Sequence, residues 1–219
     1  MAWPTYVDVA ARTGLDIEIS GADEGKIDYT SVGGQGKLDV TELLDRAKAF
    51  CAAYCHRDPV NGFDEATVVD TRDGGTIIQV SHPPIVSVTS VVWDGTTLSY
   101  SDGDYYWYKK GYIYINTKEA DQLESYRRYV RSRQVAVITY VGGYSDADSG
   151  THIAIPLELK DIVLDVACRW TLKYDEQYRR GYGASKARIA EWSVEFDEKW
   201  LGTIYERLRA GDWYVAGVA

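Results

Sequence analysis

The sequence predicts an α+β fold: a helical bundle, with helices near residues 39–56, 157–180 and 196–209, carrying an inserted antiparallel β-rich subdomain. Three observations predict it. Apolar residues recur at three- and four-residue spacing from Leu159 to Tyr174, the longest helical stripe in the chain. From Glu65 to Tyr140 the period shortens to two, and turn signals come every eight to twelve residues. Phe196, Trp200, Ile204 and Leu208 then repeat every four residues, so helical patterning stands on both sides of the strand patterning. The expected division is an N-terminal arm with a short helix (1–37), a helical core in two pieces (38–64 and 151–211), a β-rich insertion (65–150) and a C-terminal tail (212–219).

In chain order, Thr5 to Gly14 reads as a short helix ended by glycine. Its Ala10-x-x-x-Gly14 spacing is shared with the first helix of a helix-turn-helix. However, residues 15–28 hold five acids and one base, which phosphate would repel where a recognition helix should stand. Asp39 suits the N-cap of a second helix, with Glu42 at the third position of a capping box. Leu43, Leu44, Ala47, Phe50, Cys51, Tyr54 and Cys55 form its apolar face. Cys51, Cys55 and His56 have soft-metal chemistry, but a structural zinc needs four ligands and Cys168 alone could be added. Helix packing is the preferred reading of these cysteines, and no metal or cofactor is expected.

Two Asp-Gly pairs, Asp73-Gly74 and Asp94-Gly95, lie between alternating runs and predict two-residue hairpins. A third hairpin is expected at Lys109-Lys110-Gly111, with Tyr108 opposite Tyr112, Trp107 opposite Ile113 and Tyr105 opposite Ile115. That register puts Tyr105, Trp107, Ile113 and Ile115 on the core face. Tyr106, Tyr108, Tyr112 and Tyr114 share the other, a patch fit for a subunit interface, for stacking on sugars or for packing under a loop. Strand VAVITY then leads through Gly142-Gly143-Tyr144 to the long helix. There Pro156 suits the first turn, Glu158 and Asp161 suit the positive end, and Gly181 is placed to cap the other. At 1.5 Å per residue this helix spans roughly 36 Å. A strand is possible around Trp192 to Val194. After the last helix Gly211 is a stop, and an apolar tail with Trp213, Tyr214 and Val215 is a candidate docking segment.

The net charge is −9, with 18 tyrosines and 7 tryptophans against 3 phenylalanines. An acidic bulk surface is poorly suited to wrapping nucleic acid, and aromatics with a polar handle suit protein contacts. The basic exception is Arg127, Arg128, Arg131 and Arg133, interleaved with Tyr126 and Tyr129 in the loop before VAVITY. These arginines can meet acids of a neighbouring copy, contact phosphate, or stay solvated; the protein partner is preferred over DNA. No nucleophile elbow, phosphate loop, zinc-protease helix or dinucleotide turn occurs, and His56, His82 and His152 lie in separate segments read as loops or caps. The expectation is a protein that is not an enzyme. Three cysteines, the lack of a basic-plus-apolar leader and the lack of a membrane-length apolar run lead to the expectation of a soluble chain made in the cytoplasm, with no membrane partner.

The order of LLDRAKAFCAAYCHRD, PPIVSVTSVVWDG, YYWYKKGYIYI, VAVITYVGGY and IPLELKDIVLDVACRWTLKYDEQYRRG resembles that of the head–tail connector proteins of tailed bacteriophages, also described as adaptor, neck or DNA-packaging proteins. The resemblance covers residues 38–209. It implies a structural virion protein forming a ring of about a dozen copies at the neck. Its partners would be the portal protein, a downstream neck or tail protein, and genomic DNA passing through the channel without sequence-specific binding. The alternatives from the residues themselves are a DNA-binding protein acting through Arg127–Arg133 and a carbohydrate-binding β module using the tyrosine hairpin.

Overall fold

The computed structural model describes residues 2–30, 36–57, 60–73, 77–116, 135–146, 152–179 and 198–211, and of residues 176–179, 198 and 199 the backbone only. Among these residues the fold is α+β, with four helices packed together and three antiparallel sheets. The helices are α1 (Tyr6–Thr13), α2 (Val40–Tyr54), α3 (Leu157–Arg179) and α4 (Glu198–Ala210). The strands are β1 (Lys26–Asp28), β2 (Lys37–Asp39), β3 (Ala66–Asp73), β4 (Ile77–Gln79), β5 (Ile85–Trp93), β6 (Thr96–Leu98), β7 (Tyr105–Tyr108), β8 (Tyr112–Ile115) and β9 (Val135–Gly142). Two compact units result, a helical one from Ala2–Tyr54 with Ile155–Gly211, and a β-rich one from Cys55–Ala154.

The helical unit is built on α3. Leu159, Ile162, Val163, Val166 and Ala167 are all at most 2% exposed, so the predicted stripe is the buried one. Full burial of side chains of this kind is worth about 1.5–3 kcal/mol each for the larger ones, which makes α3 the chief contributor to this core. Pro156 sits one residue before the helix, and its carbonyl accepts the Lys160 N–H at 3.1 Å. On α2, Leu43, Leu44, Ala47 and Cys51 turn inward, and Asp39 Oδ1 accepts the Glu42 N–H at 3.0 Å. Thr5 and Asp8 close a capping box on α1, and Gly14 ends it in the left-handed region. No second helix follows: residues 14–25 lie outside any helix and β1 pairs with β2, so the helix-turn-helix spacing does not lead to a recognition helix.

In the β unit a four-stranded sheet, β3-β9-β5-β6, and a three-stranded sheet, β4-β8-β7, share one core. The first gives Val91, Trp93, Ile138 and Tyr140; the second gives Ile78, Tyr105, Ile113 and Ile115. The hairpin at Asp94-Gly95 forms as expected. Asp94 (φ 47°) and Gly95 (φ 81°) both take the positive φ that a two-residue type I′ loop demands, and Trp93 pairs with Thr96. The third hairpin also has its predicted register, with Gly111 (φ 97°) donating its N–H to the Tyr108 carbonyl at 2.9 Å.

Among the described residues β3 and β4 do not pair with each other as expected across Asp73-Gly74. β3 pairs with β9 over eight consecutive residues, whereas β4 joins β8 in the other sheet. The reason is partner length together with burial. β4 offers β3 three residues and β9 offers eight, while Ile78 at 3% exposure and Val80 at 0% reach the shared core only beside Ile113. The possible strand at 192–194, Phe196 and the Gly181 cap lie outside the described residues.

Candidate functional site

The β unit presents a built aromatic surface, the outer face of the β4-β8-β7 sheet. Successive strand residues point to opposite faces, so burying Ile113, Ile115 and Tyr105 turns Tyr112, Tyr114, Tyr106 and Tyr108 outward. β4 adds a third column, with Ile78 inward, Ile77 opposite Tyr114 and Gln79 opposite Tyr112. Two rows cross the sheet, Ile77–Tyr114–Tyr106 and Gln79–Tyr112–Tyr108. Tyr106 is 49% exposed, Tyr108 56%, Tyr114 40% and Ile77 54%. The patch is on the order of a few hundred Å2, a size at which a surface patch often has a role. Tyr108 and Tyr114 meet edge to face at 5.2 Å, which holds both rings in place without covering them. Chemically the face offers ring surface and phenol hydroxyls, with Lys109 and Lys110 exposed at the hairpin end. It suits adhesion; it holds no nucleophile beside a base.

Sequence reasoning found the four tyrosines and missed Ile77 and Gln79. The pairing of β4 with β8 is non-local and has no signature in the residues between them.

Behind this sheet the β unit closes around a polar knot. The His82 N–H donates to Tyr140 Oη at 2.9 Å, Tyr140 donates to Asp70 Oδ2 at 3.1 Å, and Asp70 also accepts the Ser81 N–H and O–H, each at 2.6 Å. His82 Nε2 stands 2.7 Å from the Asp64 carbonyl, which can only accept, so Nε2 carries the hydrogen. His82 and Tyr140 are fully buried, and burial pushes the Tyr140 phenol well above its ordinary range. A Cβ at Gly143 (φ 97°) would stand 2.6 Å from His82 Nε2 and overlap the Asp64 carbonyl, so glycine is required where the chain passes. His82 lies in the bend between β4 and β5, as expected of a loop residue, but is fully buried there. His152 bonds Glu65 through Nδ1 at 2.8 Å.

Nearby, Arg57 is 4% exposed, its guanidinium 5.2 Å from the Phe63 ring centre and 5.8 Å from that of Tyr144. Burial lowers its pKa, partly opposed by Tyr144. This arrangement is structural, because both ring faces are spent inside the unit.

The helical unit carries a closed set of charges. Arg12 Nη1 stands 2.9 Å from Asp161 Oδ1 and 3.1 Å from Asp165 Oδ1. Arg207 takes the remaining oxygens, Asp165 Oδ2 at 2.6 Å and Asp161 Oδ2 at 2.7 Å. Two carboxylates one turn apart on α3 thus clamp α1 and α4. Burial pushes the Asp161 carboxyl up, but the hydrogen bonds from Arg12 and Arg207 outweigh it and hold the group below its ordinary range.

Cys51, Cys55 and Cys168 are buried and form no disulfide. Burial pushes Cys55 up to about 12 and Cys168 to about 11, which disfavours the thiolate that a metal or an electrophile needs. Among the described residues no group of three His, Cys, Asp or Glu is placed to hold a metal. Arg127, Arg128, Arg131 and Arg133, and the tail residues Trp213, Tyr214 and Val215, lie outside the described residues. No helix among the described residues is long and apolar enough to cross a membrane. No protein-family model matches the chain, and no curated protein matches it.

Proposed function

We propose that this chain is a structural virion protein of a tailed phage, an adaptor that forms a ring at the neck, joins the portal to the tail and extends the DNA channel. The observation that supports it most is the order of elements. One long helix takes partners from both sides of a β-rich insertion, α1 and α2 before it and α4 after it, in the order in which the quoted passages resemble the connector family. The exposed tyrosine rows are consistent with a protein whose work is contact. The reading carries no reaction; the tyrosine sheet, the arginine loop and the tail make the contacts.

Mixing the purified chain with its cognate portal and measuring the mass of the product tests this reading. The expected outcome is a complex of many adaptor copies per portal ring, visible as an added tier in electron micrographs. Failure to bind the portal would overturn it. Salt-sensitive binding to duplex DNA in place of portal binding would favour the arginine-cluster alternative. A tyrosine fluorescence response to host glycans would favour the carbohydrate module.

A further inference from the structure

β3 is an end strand of the four-stranded sheet: β9 takes one of its edges, and no strand among the described residues takes the other. Apart from the β9 ladder, Ala66 to Arg72 make no main-chain hydrogen bond to another segment among the described residues. An open edge of this kind offers a row of N–H and C=O groups to any extended chain, and proteins ordinarily blunt it by brevity, lysine, proline or a bulge. β3 uses none of these. It has eight residues where the other end strands of the β unit, β6, β4 and β7, have three, three and four. Its sequence, ATVVDTRD, holds neither lysine nor proline, and its register with β9 runs without a shift. The charges at Asp70 and Arg72 lie on the inner face, 3.8 Å apart, and Asp70 also binds Ser81 and Tyr140, so neither guards the edge. On the outer face stand Thr67, Val69 and Thr71, all exposed and uncharged, with Val69 at 62%.

We propose that two copies of the chain pair edge to edge through β3, antiparallel about a two-fold axis at Val69, so that the four-stranded sheets of both run on as one. The occupant is a second copy because the strand matches itself. With the axis at Val69, all of Ala66–Arg72 is engaged, and the outer face sets Val69 opposite Val69 and Thr67 opposite Thr71. On the inner face Val68 stands opposite Asp70 and Ala66 opposite Arg72, so no like charges meet. Other registers are worse. A one-residue slip sets outer-face residues against inner-face ones, an axis at Asp70 sets carboxylate against carboxylate, and an axis at Val68 leaves Thr71 and Arg72 without an opposite number in the open stretch. The ladder supplies roughly six to eight main-chain hydrogen bonds. A two-fold contact closes on two copies, so the species is a dimer. This pairing goes beyond the neck reading and does not rest on it.

Sedimentation velocity of the full chain, over a range of concentrations, is expected to show a monomer giving way to a dimer. Thr67→Lys with Thr71→Lys places ammonium groups opposite each other across the axis and raises the dissociation constant about tenfold or more. Thr67→Lys with Thr71→Glu places opposite charges there instead and restores the dimer, which no effect on the single chain would do. Register has its own readout. Treated with a short bis-maleimide, Val69→Cys links to its own counterpart and runs as a covalent dimer, whereas Thr67→Cys, about four residues out of step with its counterpart and so roughly 13 Å away along the strand, does not. All three positions are exposed, and an unchanged circular dichroism spectrum identifies the variants as folded. Wild-type chain that stays monomeric at every concentration, a lysine pair without effect, a Lys–Glu variant no tighter than the Lys–Lys one, or equal linking at Val69 and Thr67 would each overturn the pairing. Portal binding is measured separately, and its failure removes the neck reading while leaving the dimer untouched.

Discussion

The hydroxyl of Tyr29 donates to Asp175 Oδ1 at 2.8 Å inside the helical unit, joining residues 146 apart in the chain. Tyr29 is 2% exposed and Asp175 8%, so this contact fixes the extended N-terminal stretch against α3 where water has little access. Tyr29→Phe keeps the ring and withdraws one donor from a buried carboxylate. The expected cost is about 2 kcal/mol, read as a lower urea midpoint with an unchanged slope. An unchanged midpoint would contradict the assignment.

The polar knot of the β unit has a sharper dependence on single atoms. Tyr140→Phe deletes the hydroxyl that accepts from His82 and donates to Asp70, leaving a buried N–H and a buried carboxylate each one partner short. The expected loss is roughly 2–4 kcal/mol. Gly143→Ala acts on the backbone, where the added carbon collides with the Asp64 carbonyl at a positive φ. It is expected to be at least as damaging, and hydrogen exchange should show faster exchange of the β9 amides while the α3 amides keep their protection.

Acid should loosen the charge clamp on α3. Asp161 is lowered in the folded chain from its ordinary value of 3.8, so the unfolded chain binds its proton first as pH falls. The stability it supplies is complete above the unfolded value and is lost as pH drops through the lower, folded value. Its side chain is 48% exposed, so solvent screening limits the contribution to about 1 kcal/mol. Arg207→Met should therefore lower stability at neutral pH by up to about 1 kcal/mol and flatten the acid limb, so that variant and wild type converge as pH falls. A variant whose acid limb matches wild type would exclude the clamp as its cause.

The thiols give a chemical readout. With Cys55 at about 12 and Cys168 at about 11, the thiolate is scarce at mildly alkaline pH and all three cysteines are buried. A disulfide reagent is expected to react with the native chain slowly and with urea-unfolded chain rapidly at three sites. Fast reaction of one native thiol would mark a local opening near it.

Both hairpin loops are readable from residue order, because Asp94-Gly95 and Lys109-Lys110-Gly111 decide their geometry through the φ angles those residues accept. The α3 stripe is readable for the same local reason, since side chains three and four apart share a face. The β3–β9 and β4–β8 pairings are not readable in this way. They were decided by which partner was long enough and by which faces needed cover, and the turn residues at Asp73 carry no information on either. The burial of the loop residue His82 escaped for a related reason: its partners, Asp64 and Tyr140, lie 18 and 58 residues away. Of the outer tyrosine face, the tyrosines follow from alternation within one hairpin, whereas Ile77 and Gln79 needed the long-range pairing.

The division of the chain into units has a consequence for synthesis on the ribosome. Residues Cys55–Ala154 are contiguous, so the β unit has all its strands as soon as β9 emerges. Ala2–Tyr54 emerges earlier and then has no α3 to cover Leu43, Leu44 and Ala47 until about 100 more residues have been made. At translation rates of about 5–20 residues per second that delay is roughly 5–20 s. The first-made helices thus wait with an apolar face uncovered while the later-made β unit completes, and the nascent chain acquires its inner piece before its outer one.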